Sequence, residues 1–366
     1  MSDFPAFPSA RPVTIPAHPS EKGTPLAEIT LSVHDAGTGP TVVLCHGWPE
    51  IAFSWRKQFG ALVDAGFRVI APDMRGFGAS DSPEVIEAYD LEHLTGDLAG
   101  LLDVLGIDEA VFVGHDWGGF VVWAMPIAYP QRTAGVIGVN TPYVPFPSTS
   151  MLRRLFEDTE KLYILWFQRP GVAEAVMDRN PRVFFQKIMR YPIEPNGPAM
   201  MTAGGDIDAN PFRHVETLED RGEVLLTEPE LDTYTRAYEK AGFRGGVNWY
   251  RNIDRNMGLY PGIGSQKLDL PCLMVTSEWD PALPPTLAAG MPMVCSDLET
   301  HQIAKCGHWT MQEKPEDLNR VMVDWLGRRF SSKGLAAGAA AVQGTARSSP
   351  GRRTAGGRAE RDPSDR

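Results

Sequence analysis

The sequence predicts an α/β fold: a doubly wound, mostly parallel sheet with a helical segment inserted late in the strand order. Three observations carry this. Short apolar runs alternate with longer stretches of helical periodicity over most of the chain. The run Thr41–Cys45 (TVVLC) is apolar without alternation, as a strand covered on both faces is. Between roughly 143 and 262 the strand-like runs stop, and aromatics with Pro and Gly breaks take over.

In chain order, residues 1–24 are Pro-rich and read as an extended arm. Ile29, Leu31 and Val33 alternate with Thr30 and Ser32, the pattern of a half-buried strand. Thr41–Cys45 is a central strand. Trp55, Phe59, Leu62 and Val63 have helical spacing within Ser54–Ala65. Strand Arg68–Ala71, helix Leu91–Leu105, strand Ala110–Val113, helix Phe120–Tyr129 and strand Gly135–Asn140 follow. After the gap come strands Cys272–Ser277 and His301–Ala304 and a closing amphipathic helix, Pro315–Arg328. The expected organisation is a core of residues 25–142 and 263–330 with a helical cap, 143–262, that shields a pocket from water. Residues 331–366 are rich in Ala, Gly, Ser and Arg, which predicts a disordered, mildly basic tail.

The chain has 366 residues, 43% hydrophobic and 22% charged, with a net charge of −11. That composition supports a sizeable core and argues against nucleic acid as a partner. No run approaches the roughly 20 apolar residues of a membrane span. The N-terminus lacks the apolar stretch of a secretory signal, so a cytoplasmic location is expected. Cys45, Cys272, Cys295 and Cys306 are scattered without a CxxC pair and read as reduced thiols. A metal site is not expected.

The chemistry concentrates at Gly114-His115-Asp116-Trp117-Gly118-Gly119. A strand leads in, an apolar helix leads out, and small residues flank the centre. This is the pattern of a nucleophile elbow, a sharp turn that exposes its central side chain. The usual occupant is Ser; here it is Asp116. A carboxylate nucleophile forms an alkyl ester by attacking a carbon that bears a leaving group, so epoxide opening or halide displacement is expected.

Ester hydrolysis needs a base and a group to orient it. His308, in Cys306-Gly307-His308-Trp309, follows the last strand. Asp280, in Ser277-Glu278-Trp279-Asp280, is the expected orienting acid, with Glu278 the second choice. The alternative acid position, after the next strand, holds Asn140-Thr141-Pro142 and has no carboxylate. The oxyanion should meet the backbone N–H groups of Trp48, in His46-Gly47-Trp48-Pro49, and of Trp117. Trp117 and Trp309 are expected to touch substrate. Asp73–Asp81 (DMRGFGASD) lacks the third Gly of a phosphate loop and reads as a structural turn with an internal Arg/Asp contact. An epoxide oxygen also needs a proton donor as the ring opens, and a neutral phenol suits that task. Tyr163 and Tyr250 lie in the cap segment.

HGWPE (46–50), DMRGFGASD (73–81), GHDWGG (114–119), NTP (140–142), the FQRPGVAE stretch after Tyr163, GFRGGVNWYRN (242–252), SEWD (277–280) and CGHW (306–309) occur in order. Together they resemble the soluble epoxide hydrolases of the α/β-hydrolase superfamily over roughly residues 25–330. The resemblance implies an α/β-hydrolase core with a cap. It implies Asp116 as nucleophile, His308 and Asp280 activating water, and Tyr163 and Tyr250 binding the oxirane oxygen. Trp166 stands where a further aromatic is common. It implies no cofactor and a small-molecule epoxide as partner, and it is compatible with a homodimer. The rivals are a dehalogenase with the same Asp nucleophile and a non-catalytic binding protein on the same fold. The first needs a halide cradle of Trp-type N–H donors, and the second predicts a damaged triad. Phe146, Trp166, Phe167, Phe184, Phe185 and Trp249 suggest an apolar pocket.

Overall fold

A computed structural model describes residues 7–195 and 207–331. The predicted disordered tail therefore lies, from residue 332 on, outside the described residues.

Eight strands form one sheet: β1 (Arg11–Ile15), β2 (Ile29–Ala36), β3 (Thr41–Cys45), β4 (Arg68–Pro72), β5 (Ala110–His115), β6 (Thr133–Val139), β7 (Leu268–Ser277) and β8 (Cys295–Ile303). Their order is β1-β2-β4-β3-β5-β6-β7-β8. Strand β2 runs antiparallel to both neighbours; every pairing from β4 to β8 is parallel. Strands β3 and β5 sit at the centre, and Val42, Val43, Leu44, Val111, Phe112 and Val113 are all buried. Helices cover both faces, so these strands carry no polar side.

The expected N-terminal arm is corrected in part. Residues 11–15 pair with β2 as the sheet's edge strand, Val13 opposite Leu31 and Ile15 opposite Ile29. Val13 and Ile15 are buried while Arg11 and Thr14 face out, so a period-two pattern lies within the Pro-rich run.

Helices α1 (Arg56–Asp64), α2 (Leu91–Val104) and α3 (Trp117–Ala128) follow β3, β4 and β5. Asp90 caps α2 by accepting the His93 N–H at 2.9 Å. The turn before α2 departs from the expected internal Arg/Asp contact. Arg75 pairs with Asp97 on α2, both fully buried, while Asp73 accepts the backbone N–H groups of Ala52 (2.9 Å) and Ala79 (3.2 Å). The guanidinium is long enough to reach the next element, and the short Asp73 side chain serves its own loop.

Between β6 and β7 lie α4 (Thr149–Leu155), α5 (Tyr163–Trp166), α6 (Glu174–Met177), α7 (Pro181–Ile188), α8 (Glu228–Ala241), α9 (Arg244–Arg251) and α10 (Ile253–Leu259). Helix α8 opens on a capping box between Thr227 and Glu230. The described residues close on α11 (Thr310–Glu313) and α12 (Pro315–Phe330), whose Leu318, Met322, Trp325 and Leu326 are buried against the sheet. No helix among the described residues is long and apolar enough to cross a membrane. The four cysteines are free and buried.

Candidate active site

Asp116 occupies the turn between β5 and α3 with φ 48° and ψ −122°, strained for a residue with a side chain. Close packing holds it there. A Cβ on Gly118 would lie 2.2 Å from the Cys45 carbonyl oxygen, and one on Gly47 would lie 2.4 Å from the Asp116 Cβ. Only glycine lets β3, its following loop and the elbow approach this closely. Thr141 Oγ1 donates to the Asp116 carbonyl at 2.7 Å and secures the turn from β6.

The carboxylate is divided between two surroundings. Its Oδ1 accepts the Trp48 N–H at 2.8 Å, and the Trp117 N–H also bonds to the group. Its Oδ2 lies 3.7 Å from His308 Nε2. Burial raises the Asp116 pKa above the usual carboxylate value, against the His308 and His115 charges and the two N–H donors.

His308 Nδ1 contacts Asp280 Oδ2 at 2.9 Å and Oδ1 at 3.1 Å. Asp280 accepts further bonds from Ala282 N (2.9 Å), Leu283 N (3.0 Å) and Asn140 Nδ2 (2.6 Å). Burial pushes its carboxyl up, but the His308 charge, its hydrogen bond and the surrounding donors outweigh that and hold the pKa at about 2. Burial opposes a charged His308; the Asp280 and Asp116 carboxylates override it and raise the imidazole to about 9. Glu278 faces elsewhere and accepts the Lys305 N–H at 2.8 Å.

Glycines also seat the cap. A Cβ on Gly245 would lie 2.3 Å from the Gly76 carbonyl oxygen, and one on Gly246 would lie 2.4 Å from Trp48 Cδ1. The start of α9 thus lies directly on the Asp73–Asp81 turn and the Trp48 loop. The Trp249 indole donates to the Arg75 carbonyl at 3.2 Å, which sets the rotation of α9. Tyr250 follows at the end of that helix, and Gln168 ties its carbonyl to the segment that carries Tyr163 (3.0 Å). The two phenol rings meet edge-on, 5.7 Å apart at 78°. Their hydroxyls interact, and the Trp117 indole bonds to Tyr250. Burial, then the Asp116 charge, pushes the Tyr163 phenol up; burial, Tyr163 and Asp116 do the same for Tyr250, so both stay protonated.

Asp116, Tyr163, Tyr250 and Ala282 line two adjoining cavities. The wider, about 240 Å³, adds Trp48, Phe212, Leu218, Pro281, His308 and Trp309 among its walls. The narrower, about 50 Å³, is walled by Trp117, Phe120, Phe146, Ile164, Ile253 and Leu283. Of the aromatics that suggest the pocket in sequence, Phe146 lines it. Trp166, Phe167, Phe184, Phe185 and Trp249 pack into the buried core instead. Sequence reading passes over Phe212, because apolar periodicity does not tell a cavity wall from a core.

Behind His308 lie groups that the sequence motifs contain but the sequence reading leaves without a task. His115 Nδ1 contacts Glu50 Oε2 and its Nε2 contacts the His308 carbonyl oxygen, each at 2.7 Å. Both side chains are fully buried. No group of His, Cys, Asp and Glu among the described residues is arranged to hold a metal.

A mostly parallel sheet with a strained carboxylate elbow, a facing imidazole and a helical lid defines an α/β hydrolase, and the α/β hydrolase fold family matches residues 40–175. Epoxide hydrolase A of Mycobacterium tuberculosis is 36% identical over 319 residues, covering 84% of this chain and 97% of its own. The bifunctional epoxide hydrolase 2 of Mus musculus is 40% identical over 330 residues, covering 87% of this chain and 58% of its own. The chain thus spans little more than half the length of that relative and of its counterparts in Sus scrofa (53%) and Rattus norvegicus (58%). The crystal structure of epoxide hydrolase A from Mycobacterium thermoresistibile superposes with a TM-score of 0.74 at 37% identity, covering 87% of this chain and 98% of the other. The chain belongs to the epoxide hydrolase family.

Proposed function

We propose that the protein hydrolyses a small-molecule epoxide to a vicinal diol through an ester on Asp116. The observation that carries this is the pair of protonated phenols, Tyr163 and Tyr250, lining the same cavities as the Asp116 carboxylate.

In the first half-reaction Asp116 Oδ2 attacks an oxirane carbon and the C–O bond breaks. The oxygen that departs is a poor leaving group near neutral pH. Hydrogen bonds from the two phenols strengthen as its charge grows, and one phenol delivers the proton. Oδ1, which accepts the Trp48 N–H, becomes the ester carbonyl, with the Trp117 N–H as its second donor in this reading.

In the second half-reaction His308 Nε2 takes a proton from water, which attacks the Asp116 carbonyl carbon. The tetrahedral oxyanion forms on Oδ1, already seated against the Trp48 N–H. Collapse expels the diol oxygen as an alkoxide, which takes the proton of the new carboxyl to leave the Asp116 carboxylate, and the imidazolium proton returns to the phenolate. Asp280 keeps the imidazole oriented and stabilises its positive charge. Alkylation also removes the Asp116 charge that helps raise the His308 pKa, so the ester itself favours the neutral imidazole. Trp117 and Trp309 line the two adjoining cavities, one each, and Trp117 contributes both its N–H to the oxyanion and its indole to Tyr250. The chemistry calls for no cofactor.

A panel of aryl and alkyl epoxides, haloalkanes and p-nitrophenyl esters, scored by turnover, tests this reading. Turnover of epoxides alone is expected. Turnover of haloalkanes without epoxides would transfer the site to dehalogenation, and binding without any turnover would make it a binding pocket.

A further inference from the structure

The loop that carries His308 is gripped by a carboxylate outside the triad. Glu313, at the end of α11, is 8% exposed. Its Oε2 accepts the Gly307 N–H at 2.5 Å and its Oε1 accepts the Trp309 N–H at 2.8 Å. The Cys306 thiol contacts Oε2 at 3.5 Å. One rigid group therefore holds the peptide on either side of His308, while His115 holds the His308 carbonyl between them. A Cβ on Gly307 would lie 3.1 Å from Glu313 Oε1 and 2.8 Å from Pro192 Cβ, so the loop comes this close because residue 307 is glycine.

Part of this is helix capping, since Trp309 is the N-cap of α11. The bond to Gly307 is not. Gly307 precedes the cap by two residues and adds nothing to the helix. Burying a carboxylate carries a desolvation penalty unless donors compensate it. Here the donors are the backbone groups that frame the imidazole; they offset part of the penalty, and burial still pushes the Glu313 carboxyl up.

We infer that Glu313 is a positioning residue for the proposed ester hydrolysis: it clamps both flanks of His308 and so fixes Nε2 over the Asp116 carbonyl. The inference rests on His308 being the base for that step. Misplacing a catalytic group by about 1 Å can cost on the order of 100-fold. Alkylation by Asp116 needs no proton removed and does not depend on that placement.

The test uses the full chain, styrene oxide as probe, and Glu313→Gln and Glu313→Ala. Rapid-quench mass spectrometry separates ester formation from ester decay. Imidazole nitrogen NMR reads the His308 titration and its Asp280-bonded proton. Decay is expected to slow about 10-fold in Glu313→Gln, which keeps one acceptor, and about 100-fold in Glu313→Ala, with formation within about 2-fold of the parent. The His308 proton signal should broaden in the same order. Equal losses in both half-reactions, or parent-like decay with an unchanged His308 signal, would overturn the clamp. A parent that forms no ester would sink the proposed function instead, and the NMR signal alone would then decide the clamp.

Discussion

His308 Nε2 stands 3.7 Å from Asp116 Oδ2, while its Nδ1 is bonded to Asp280 at 2.9 Å. The imidazole is thus anchored at one nitrogen and, at the other, too far from the nucleophile for a hydrogen bond. A base committed to activating the nucleophile would be bonded to it. A carboxylate needs no such activation, and the free nitrogen is left to address water.

The oxygen that enters the diol should therefore come from Asp116 in the first turnover. A single turnover in oxygen-18 water is expected to place label in the Asp116 carboxylate and leave the first diol unlabelled. Label in that first diol would mean direct attack by water.

His308→Gln should trap the ester, visible as an adduct of substrate mass on the intact protein, since general-base assistance contributes roughly 10²–10⁴-fold. Asp280→Asn should slow the same decay, because the bonded carboxylate both orients His308 and holds its proton. Glu278→Gln should leave decay near the parent rate, as its carboxylate faces Lys305. The reverse ranking of the two acids would move the orienting role to Glu278.

The pH dependence has a definite sign. His308 rises to about 9 in the free enzyme, with Asp116 among the causes. Ester decay requires the neutral imidazole, so its rate should climb with pH. The apparent pKa of that climb should fall below about 9, because the ester carries no charge at Asp116. The same raised value contributes folding stability that is fully present below the unfolded pKa of about 6.5 and lost as pH rises through about 9. Ester decay rates measured by pH jump, together with urea midpoints across that window, check both signs.

Tyr163→Phe or Tyr250→Phe should slow ester formation about 10- to 1,000-fold, the scale of one lost donor or acid. The remaining phenol faces the same oxygen, so the double variant should lose far more than either single one. Stopped-flow indole fluorescence, with Trp117 beside Tyr250, follows this step. Parent rates in the double variant would reduce both tyrosines to packing.

Arg75 and Asp97 form a buried pair beneath the Asp73–Asp81 turn. Asp97→Ala leaves the guanidinium uncompensated and should destabilise the fold by about 3–5 kcal/mol. Urea unfolding measures it; a change below about 1 kcal/mol would mean that water reaches Arg75.

What the sequence by itself determined was local. The alternation of Ile29, Leu31 and Val33, the unbroken apolar run Thr41–Cys45 and the Gly-flanked Asp116 each depend on neighbours in the chain, because period and turn chemistry act over a few residues. Val13 and Ile15 carried the same alternation, hidden among prolines. Contacts between distant segments depended on the tertiary structure. Arg75 chose Asp97 over Asp73, and Phe212 became a cavity wall while Phe184 became core; Asp280, already the first choice over Glu278 in sequence, met His308. Glu313 came to hold the flanks of His308 for the same reason. The position of a side chain in space follows from how the sheet, the cap and the loops pack, and that packing is settled by the whole chain at once.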